Sequence, residues 1–287
     1  MWDVRANRTA EFAWGGQTPV TGRRTLANLP RVDILAISVN HGTTAYLDLM
    51  IKTLLDVDRT PVRILVLDND AADLSMLDWA VARGVSIEQS GYTVDDGGVT
   101  THGEILRAGI LDHPEPDAYL LLDADCFFLH RGTVATMREE LESDPQLFAV
   151  QAGQTDETGA DLESPFRPWT REIEERVREL PDGPWWDPVR YPVTLGDRVH
   201  PFCTLLRNTP AVRRTVELIG LSPAMTQCVR GGRWWDTLGL FTQVMRTHGL
   251  DWRYSEQQAG HFGNVSWTTD WSVQKADRRD RLRATLG

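Results

Sequence analysis

The chain has 287 residues, of which 41% are hydrophobic and 25% are charged. This composition is typical of a globular protein with room for one substantial α/β domain and an added lobe. The 30 basic and 41 acidic residues give a formal net charge of −11. A protein that neutralises a nucleic-acid backbone needs the opposite balance, so we expect no nucleic-acid partner.

The pattern along the chain divides it into four predicted segments. Residues 1–30 form a polar N-terminal arm, and residues 31–150 a regular α/β half. Residues 151–270 form a second, less regular half of the same domain, and residues 271–287 a charged C-terminal tail.

Short apolar, β-branched runs alternate with helical patterns in the first half. The predicted strands are Val32–Val39, Val62–Leu67, Val85–Ile87, Ala118–Leu122 and Leu147–Val150. Apolar residues at helical spacing predict helices between the first four of these strands. Alternating strands and helices favour parallel strands, and near-continuous apolar runs indicate a sheet covered on both faces.

The second half begins with an irregular stretch in which prolines stand among tryptophans. One charged helix is predicted there, over Arg171–Leu180. A further αβ segment is predicted from His200 to about Asn264, with a strand over Asp251–Ser255. The tail is predicted to form a surface helix over Lys275–Leu286.

Polar side chains follow three of the predicted strands. They are Ser38 and Asn40, then Asp68 and Asp70, then Asp123 and Asp125. Ligands of an open parallel sheet bind beyond the carboxyl ends of its strands. Acidic pairs that share one sheet edge repel each other unless a cation or hydrogen-bond donors lie between them.

The most specific pattern is Asp123-Ala124-Asp125, directly after an apolar strand. In an extended segment, residues two apart point the same way, so both carboxylates can face one site. Hard oxygen ligands suit Mg²⁺ or Mn²⁺, which leave coordination positions open for diphosphate oxygens. The alternative is a strand that ends in a solvated acidic turn.

These stretches, in this order and spacing, resemble the family-2-like glycosyltransferases of GT-A fold. The resembling segments are residues 37–42, 64–70, 102–110 and 120–125. The resemblance implies a Rossmann-like, mostly parallel central sheet flanked by helices, with an irregular, aromatic-rich acceptor lobe. It also implies that residues 31–150 bind a nucleotide sugar and that residues 151–270 bind the acceptor and carry out catalysis.

The resemblance also assigns donor-binding roles. Ser38 and Asn40 resemble the loop that holds the nucleoside. Asp68, with Asp70 beside it, resembles the acid that hydrogen-bonds the nucleobase. This likeness favours a UDP- or dTDP-sugar as the donor. Asp123 resembles the residue that contacts ribose and metal, and Asp125 the direct metal ligand. The helix start at His102 would lie along the diphosphate, where free N–H groups favour an anion.

Two later residues extend the expected site. Asp236 resembles the general base for the acceptor hydroxyl, which implies inversion at the anomeric centre, although the usual acidic pair is missing and an N-cap role is the alternative. His261 resembles a third metal ligand, with His102 and His200 as competitors, and a structural histidine is the alternative. Candidate acceptor contacts are Trp185, Trp186, Trp234, Trp235 and Trp267, any of which could instead be core residues.

The sequence thus predicts a Mn²⁺- or Mg²⁺-dependent glycosyltransferase with a nucleotide-sugar donor and an acceptor. A nucleotidyltransferase would carry a glycine-rich basic loop after the first strand, and residues 40–44 have none. A non-catalytic sugar-binding relic stays the other alternative. A dehydrogenase lacks its GxGxxG motif, and a P-loop enzyme its GxxxxGK[ST] motif.

The cellular setting is inferred from composition. Three cysteines without a CxxC pair, and no apolar run long enough to span a bilayer, lead us to expect a cytoplasmic protein. Lys52 and Lys275 are the only lysines, an arginine bias that suggests a GC-rich bacterial source.

Overall fold

The computed structural model describes residues 33–93, 99–160, 198–226, 233–263 and 272–286. Its strands are β1 Ile34–Asn40, β2 Arg63–Asp68, β3 Ser86–Gln89, β4 Ala118–Leu122, β5 Cys126–Phe127, β6 Leu147–Thr155, β7 Cys203–Arg207, β8 Ala224–Thr226, β9 Arg233–Trp235 and β10 Asp251–His261. Its α-helices are α1 Thr44–Thr53, α2 Asp78–Ala82, α3 Val99–Asp112, α4 Thr133–Ser143, α5 Pro210–Ile219, α6 Gly239–Thr247 and α7 Ser272–Leu286. A π-helical turn, Leu54–Asp58, continues α1, and a 3-10 turn, Ser75–Leu77, precedes α2.

Eight strands form one sheet, in the order β3–β2–β1–β4–β7–β6–β10–β5. The first four run parallel, β7 is antiparallel to both of its neighbours, and β10 runs parallel to β6. β5 closes the sheet antiparallel to β10. Most strands therefore share one direction, and the predicted mostly parallel α/β sheet flanked by helices is confirmed.

Helices cover both faces of the sheet because its strands are apolar on both sides. In β1, Ile34 and Ala36 pack with α1 and α4, whereas Leu35 and Ile37 pack with α3, α5 and α6 on the opposite face. All seven residues of β1 are buried. Side chains that alternate along a strand need apolar cover on both faces, which explains why the predicted strands were continuous apolar runs.

Strand pairing in the second half differs from a simple parallel continuation. The segment Leu147–Val150 was predicted to join the sheet, and it does so as the start of the longer β6. However, β7 lies antiparallel between β4 and β6, although it comes later in the chain. A separate hairpin, β8–β9, precedes α6.

The C-terminal tail forms the predicted helix, but this helix is not only a surface element. In α7, Leu282 is buried and packs in a small apolar cluster with Leu49, Phe127 and Phe262. The tail is thereby attached to α1 and to the end of β10.

None of the described helices is long and apolar enough to cross a membrane. The predicted N-terminal arm lies outside the described residues, and so does the proline- and tryptophan-rich stretch with its helix over residues 171–180.

Candidate metal and donor site

The acidic pair after β4 lies in a tight turn. The N–H of Asp123 donates to the carbonyl of Phe202 (3.0 Å), and the N–H of Cys126 donates back to the carbonyl of Asp123 (3.0 Å). The chain reverses here, so that β5 runs opposite to β4. As predicted, the two carboxylates face a common site, where their partner is His261. However, it is the turn that brings them together, and not the predicted alternation of side chains along an extended strand.

His261 reaches the acidic pair because β10 pairs with β5. In this antiparallel pair His261 stands opposite Cys126, and the N–H of Phe262 donates to the carbonyl of Asp125 (3.1 Å). The strand predicted over Asp251–Ser255 continues through an irregular register to His261. A histidine distant in sequence is thus placed beside the aspartates by strand pairing.

The three side chains form a close ligand group. The Nε2 atom of His261 lies 3.0 Å from Oδ1 of Asp125 and 3.4 Å from Oδ2 of Asp123. One ligand atom from each residue lies within 4.8 Å of the others. Side-chain exposure is only 7% for Asp125, 13% for His261 and 19% for Asp123, so water screens these charges weakly.

Interactions within this group shift the pKa values of His261 and Asp123 in opposite directions. Burial acts to lower the pKa of His261, but the charge of Asp125 and hydrogen bonds to both carboxylates outweigh it and raise that pKa to about 10. Burial acts to raise the pKa of Asp123, but interactions led by the hydrogen bond from His261 outweigh it and lower that pKa well below its ordinary value. A protonated His261 therefore sits between two carboxylates.

The donor set fits a divalent ion. Two carboxylates and one imidazole suit Mn²⁺, and carboxylates suit Mg²⁺. The Oδ2 atom of Asp125 is buried and has no hydrogen-bond partner in the described structure. A buried carboxylate oxygen without a partner is costly, and a metal ion would satisfy it. Asp123, Asp125 and His261 are thus a group that could bind a metal.

Two more histidines lie near this group, His102 beside Asp123 and His200 beside His261. The Nε2 atom of His102, in α3, lies 3.9 Å from Oδ1 of Asp123. The Nδ1 atom of His200 accepts the N–H of Phe202 (3.2 Å), and burial, then the charge of Arg198, lower the pKa of His200 well below 6.5. His200 is therefore a neutral side chain at the edge of the site, and the ligand group in the described part of the chain contains His261.

Asp236 lies at the start of the segment that leads into α6, where it forms an ion pair. Its Oδ2 accepts from Nη2 of Arg198 at 2.6 Å, and its Oδ1 accepts the N–H of Thr237 at 2.7 Å. The Arg198 side chain is 1% exposed and that of Asp236 21%. Asp236 is not the N-cap of α6, which is Leu238 in a left-handed conformation.

Arg198 connects this ion pair to the acidic cluster. Its Nη1 donates to the carbonyl of Thr237 at 2.6 Å. Burial lowers the pKa of Arg198, while the charges of Asp236 and then Asp123 oppose that change. One buried guanidinium thus interacts with the predicted general base and with a predicted metal ligand.

The predicted nucleoside-binding residues form a hydrogen-bonded corner where β1 and β2 end. The side-chain amide of Asn40 donates to Oδ1 of Asp68 (2.7 Å), and Oδ2 of Asp68 accepts the N–H of Ala71 (2.9 Å). Gln89 also donates to Oδ2 (3.4 Å). Because Asp68 is fully buried and both oxygens are engaged, it holds the loop here, and its contact with a nucleobase stays a prediction.

The other two residues of this corner differ in exposure. The hydroxyl oxygen of Ser38 is buried without a hydrogen-bond partner in the described residues. Asp70 is exposed and adopts a left-handed backbone conformation with φ of 55°. Asp tolerates this conformation better than most residues, and it turns the chain sharply after Asp68.

The tryptophans predicted to contact an acceptor fall largely outside the structure. Trp185, Trp186 and Trp267 lie outside the described residues. Trp234 and Trp235 belong to β9, but only their backbone is described. Their predicted contacts therefore stay predictions.

Sequence reasoning did not identify Arg198 as a site residue. Arg198 and Asp236 are separated by 38 residues, and no local pattern links them. The one cue in the sequence was that Arg198 directly precedes a segment with the apolar residues Val199 and Phe202. Both of these residues are buried in the structure.

The chain is similar to known proteins in structure, whereas the comparisons by sequence found no match. No protein-family model matches the chain, and no curated protein matches it. A mannosyltransferase from Pyrobaculum calidifontis, solved with GDP-Man and Mn²⁺, has a TM-score of 0.52 at 14% identity. The match covers 92% of this chain and 67% of the mannosyltransferase.

A second solved structure has a lower score. Glucosyl-3-phosphoglycerate synthase from Mycobacterium tuberculosis, solved with Mn²⁺, UDP and phosphoglyceric acid, has a TM-score of 0.49 at 14% identity, over 89% of this chain and 77% of the synthase. The sheet order, the helices on both faces and the mannosyltransferase match together show the GT-A fold that the sequence predicted.

Proposed function

We propose that this chain is a metal-dependent glycosyltransferase that moves a sugar from a nucleotide diphosphate donor to an acceptor hydroxyl or similar nucleophile. The observation that carries the proposal is the group formed by Asp123, Asp125 and His261 at the carboxyl end of β4 in a GT-A sheet. The unpartnered Oδ2 of Asp125 supports a bound ion. Mn²⁺ or Mg²⁺ would supply positive charge that stabilises the leaving diphosphate.

The protein's own residues would bind and orient the donor. The corner of Ser38, Asn40 and Asp68 would hold the nucleoside, with exposed Asp70 at its rim. His102, 3.9 Å from Asp123, would lie beside the diphosphate at the start of α3. A uracil or thymine base is favoured by the family resemblance at Asp68 alone, so the base is best determined by experiment.

Asp236 is the proposed general base. In a direct displacement the acceptor oxygen bonds to the anomeric carbon and its proton moves to the Asp236 carboxylate. The bond from that carbon to the diphosphate oxygen breaks, and its electron pair leaves with the diphosphate. This reaction would invert the anomeric centre. Arg198 would act as a positioning residue, because its buried guanidinium fixes Oδ2 of Asp236 at 2.6 Å.

A thermal-shift panel tests the proposal. UDP, dTDP, GDP and CMP are each measured with and without Mn²⁺, and we expect at least one nucleoside diphosphate to raise Tm only when the metal is present. GDP belongs in the panel because the mannosyltransferase of the same fold was solved with GDP-Man. Stabilisation by uncharged ligands alone, with no response to any nucleotide, would refute the proposal.

A further inference from the structure

Helix α7 is fixed to the body of the protein at its C-terminal end by an ion pair with a buried carboxylate. Asp48, in α1, is 3% exposed, and its carboxylate accepts hydrogen bonds from the indole of Trp79 (2.6 Å) and pairs with Arg283 of α7. Next to this pair, Leu282 packs in the apolar cluster that contains Phe262. A buried Asp48 carboxylate without its cation would be costly, so this attachment defines where the end of α7 lies.

A second attachment holds the middle of the helix. The guanidinium of Arg278 pairs with Glu157, with Nε 2.7 Å from Oε1, and it also lies 5.6 Å from the centre of the Phe262 ring. Arg279 lies 4.9 Å from the centre of the Tyr46 ring. With its middle and its C-terminal end both attached, α7 presents its first turn in a defined position.

Lys275 stands in that first turn, beside the chain segment that carries His261. Its Nζ donates to the carbonyl of Gly263, two residues beyond His261. Burial lowers the pKa of Lys275, and the charge of Asp125 only partly opposes that change. In the described structure Gly263 is its one hydrogen-bond partner, and an ammonium has three N–H donors.

The position of this lysine is unfavourable for the helix alone. A cation in the first turn opposes the helix dipole, which favours negative charge there. Unlike Arg278 and Arg283, Lys275 has no carboxylate within ion-pair distance in the described residues. The ammonium therefore contacts the chain at Gly263, two residues beyond His261, with no carboxylate partner among the described residues.

We propose that Lys275 is a donor-binding residue whose ammonium contacts a phosphate oxygen of the metal-bound nucleotide diphosphate. This inference rests on the proposed function. A divalent ion is formally neutralised by Asp123 and Asp125, so the negative charge of a bound diphosphate needs a further cation. Lysine is a common point-charge partner of phosphate, and a rigid helix that already reaches Gly263 can supply it with little loss of entropy.

Amine labelling measures this contact without any turnover. Lys52 and Lys275 are the only lysines, and both are partly exposed, so Lys52 serves as an internal reference. The protein is acetylated with a water-soluble active ester in the presence of Mn²⁺ alone, Mn²⁺ with pyrophosphate, Mn²⁺ with UDP, Mn²⁺ with GDP, or Mn²⁺ with uridine. Mass spectrometry then gives the labelling rate of each lysine. We expect the diphosphates that bind to slow labelling of Lys275 and to leave Lys52 unchanged.

Binding by substituted proteins provides the second measurement. Lys275→Met is expected to weaken Mn²⁺-dependent binding of the nucleoside diphosphate about tenfold, whereas Lys275→Arg retains most of the affinity. Lys52→Met makes the same charge change in α1 and should have no effect. Circular dichroism checks that each variant is folded.

The outcomes separate this inference from the proposed function. If a nucleoside diphosphate binds with Mn²⁺ but Lys275 is labelled at an unchanged rate and Lys275→Met binds normally, the lysine assignment is wrong and the function stands. Equal protection by Mn²⁺ alone or by uridine also overturns the assignment, because neither carries a diphosphate. If no diphosphate binds in any arm, both the assignment and the proposed function fall.

Discussion

The two oxygens of the Asp125 carboxylate have different surroundings, and this difference predicts the effect of removing its charge. Oδ1 lies 3.0 Å from His261, whereas Oδ2 is buried without a partner in the described residues. Asp125→Asn keeps the shape and removes the charge. We expect Mn²⁺ affinity to fall more than about 100-fold, since even changes next to a ligand cost about 10- to 100-fold.

Isothermal titration with Mn²⁺ measures the effect of Asp125→Asn. Asp73→Asn is the matched control, because Asp73 is an exposed aspartate that does not belong to the ligand group and the charge change is the same. Equal Mn²⁺ affinity in the two variants would rule out Asp125 as a ligand.

Asp236 allows a prediction that separates binding from chemistry. Asp236→Asn removes a base and leaves the metal group intact, so nucleotide binding with Mn²⁺ should persist while kcat falls about 10²- to 10⁴-fold. The substitution also reduces the compensation of the buried Arg198 charge, and Tm is therefore measured on the same samples. Normal turnover in a folded Asp236→Asn protein would assign the general base to another group.

At the scale of elements, the pairing of β5 with β10 decides whether the metal group exists. Gly260 stands opposite Phe127 in this pair, and a Cβ at position 260 would lie 1.9 Å from a ring carbon of Phe127. The Phe127 ring is fully buried, and its centre lies 4.7 Å from the centre of the Phe262 ring, so it has little space to move. A close approach of the two strands therefore requires glycine here.

Gly260→Ala should consequently destabilise the protein by about 1–3 kcal/mol. It should also weaken Mn²⁺ binding, because His261 is the next residue in the chain. Gly153→Ala is the control, since an added Cβ there would lie 3.2 Å from the flexible side chain of Gln258 and at an ordinary contact distance of 3.7 Å from the carbonyl oxygen of Gln257. Urea unfolding with and without Mn²⁺ measures both effects. Wild-type Mn²⁺ affinity in Gly260→Ala would show that the strand end tolerates displacement.

The elements that the sequence predicted are those with a strong local signal. β1, β2 and β4 are buried on both faces and are therefore continuous apolar runs. β5 has two residues, and the antiparallel placement of β7 between β4 and β6 depends on contacts between distant segments. Neither leaves a periodic pattern, so local reasoning could not find them.

The same distinction applies to the site. Asp123 and Asp125 follow a strong strand, and a family resemblance was sufficient to suggest His261. Arg198 and Lys275 act through tertiary contacts with Asp236 and Gly263, which no spacing in the sequence encodes. The charge pattern of the tail predicted a helix correctly, but it could not predict which face of that helix packs on α1.

At the scale of the whole molecule, the metal group joins the first half of the chain to its far end. Asp123 and Asp125 belong to the β4–β5 turn, and His261 ends β10, so an ion bound to all three would connect segments that separate on unfolding. Binding to the folded state alone stabilises it, by about 2.7 kcal/mol when the ligand stands at 100 times its Kd. Mn²⁺ should therefore raise the global Tm and not only order a loop.

This stabilisation should depend on pH with a definite sign, because the proton on His261 and the metal compete for one site. The pKa of His261 is raised from 6.5 to about 10 in the folded protein. Its protonation therefore stabilises the metal-free fold fully below pH 6.5, and this contribution is lost as pH rises towards 10. Metal binding must displace the proton, so Mn²⁺ affinity should rise with pH over the same interval.

Thermal unfolding between pH 6 and 8.5 tests the two opposite trends. The metal-free protein should become less stable as pH rises, while the increase in Tm caused by Mn²⁺ should grow. In His261→Gln both trends should largely disappear, because the glutamine amide does not titrate and binds the ion more weakly. A Tm increase with Mn²⁺ that is independent of pH in the wild type would mean that the ion does not displace the proton of His261. The metal group would then have to be assigned to the carboxylates and a different third ligand.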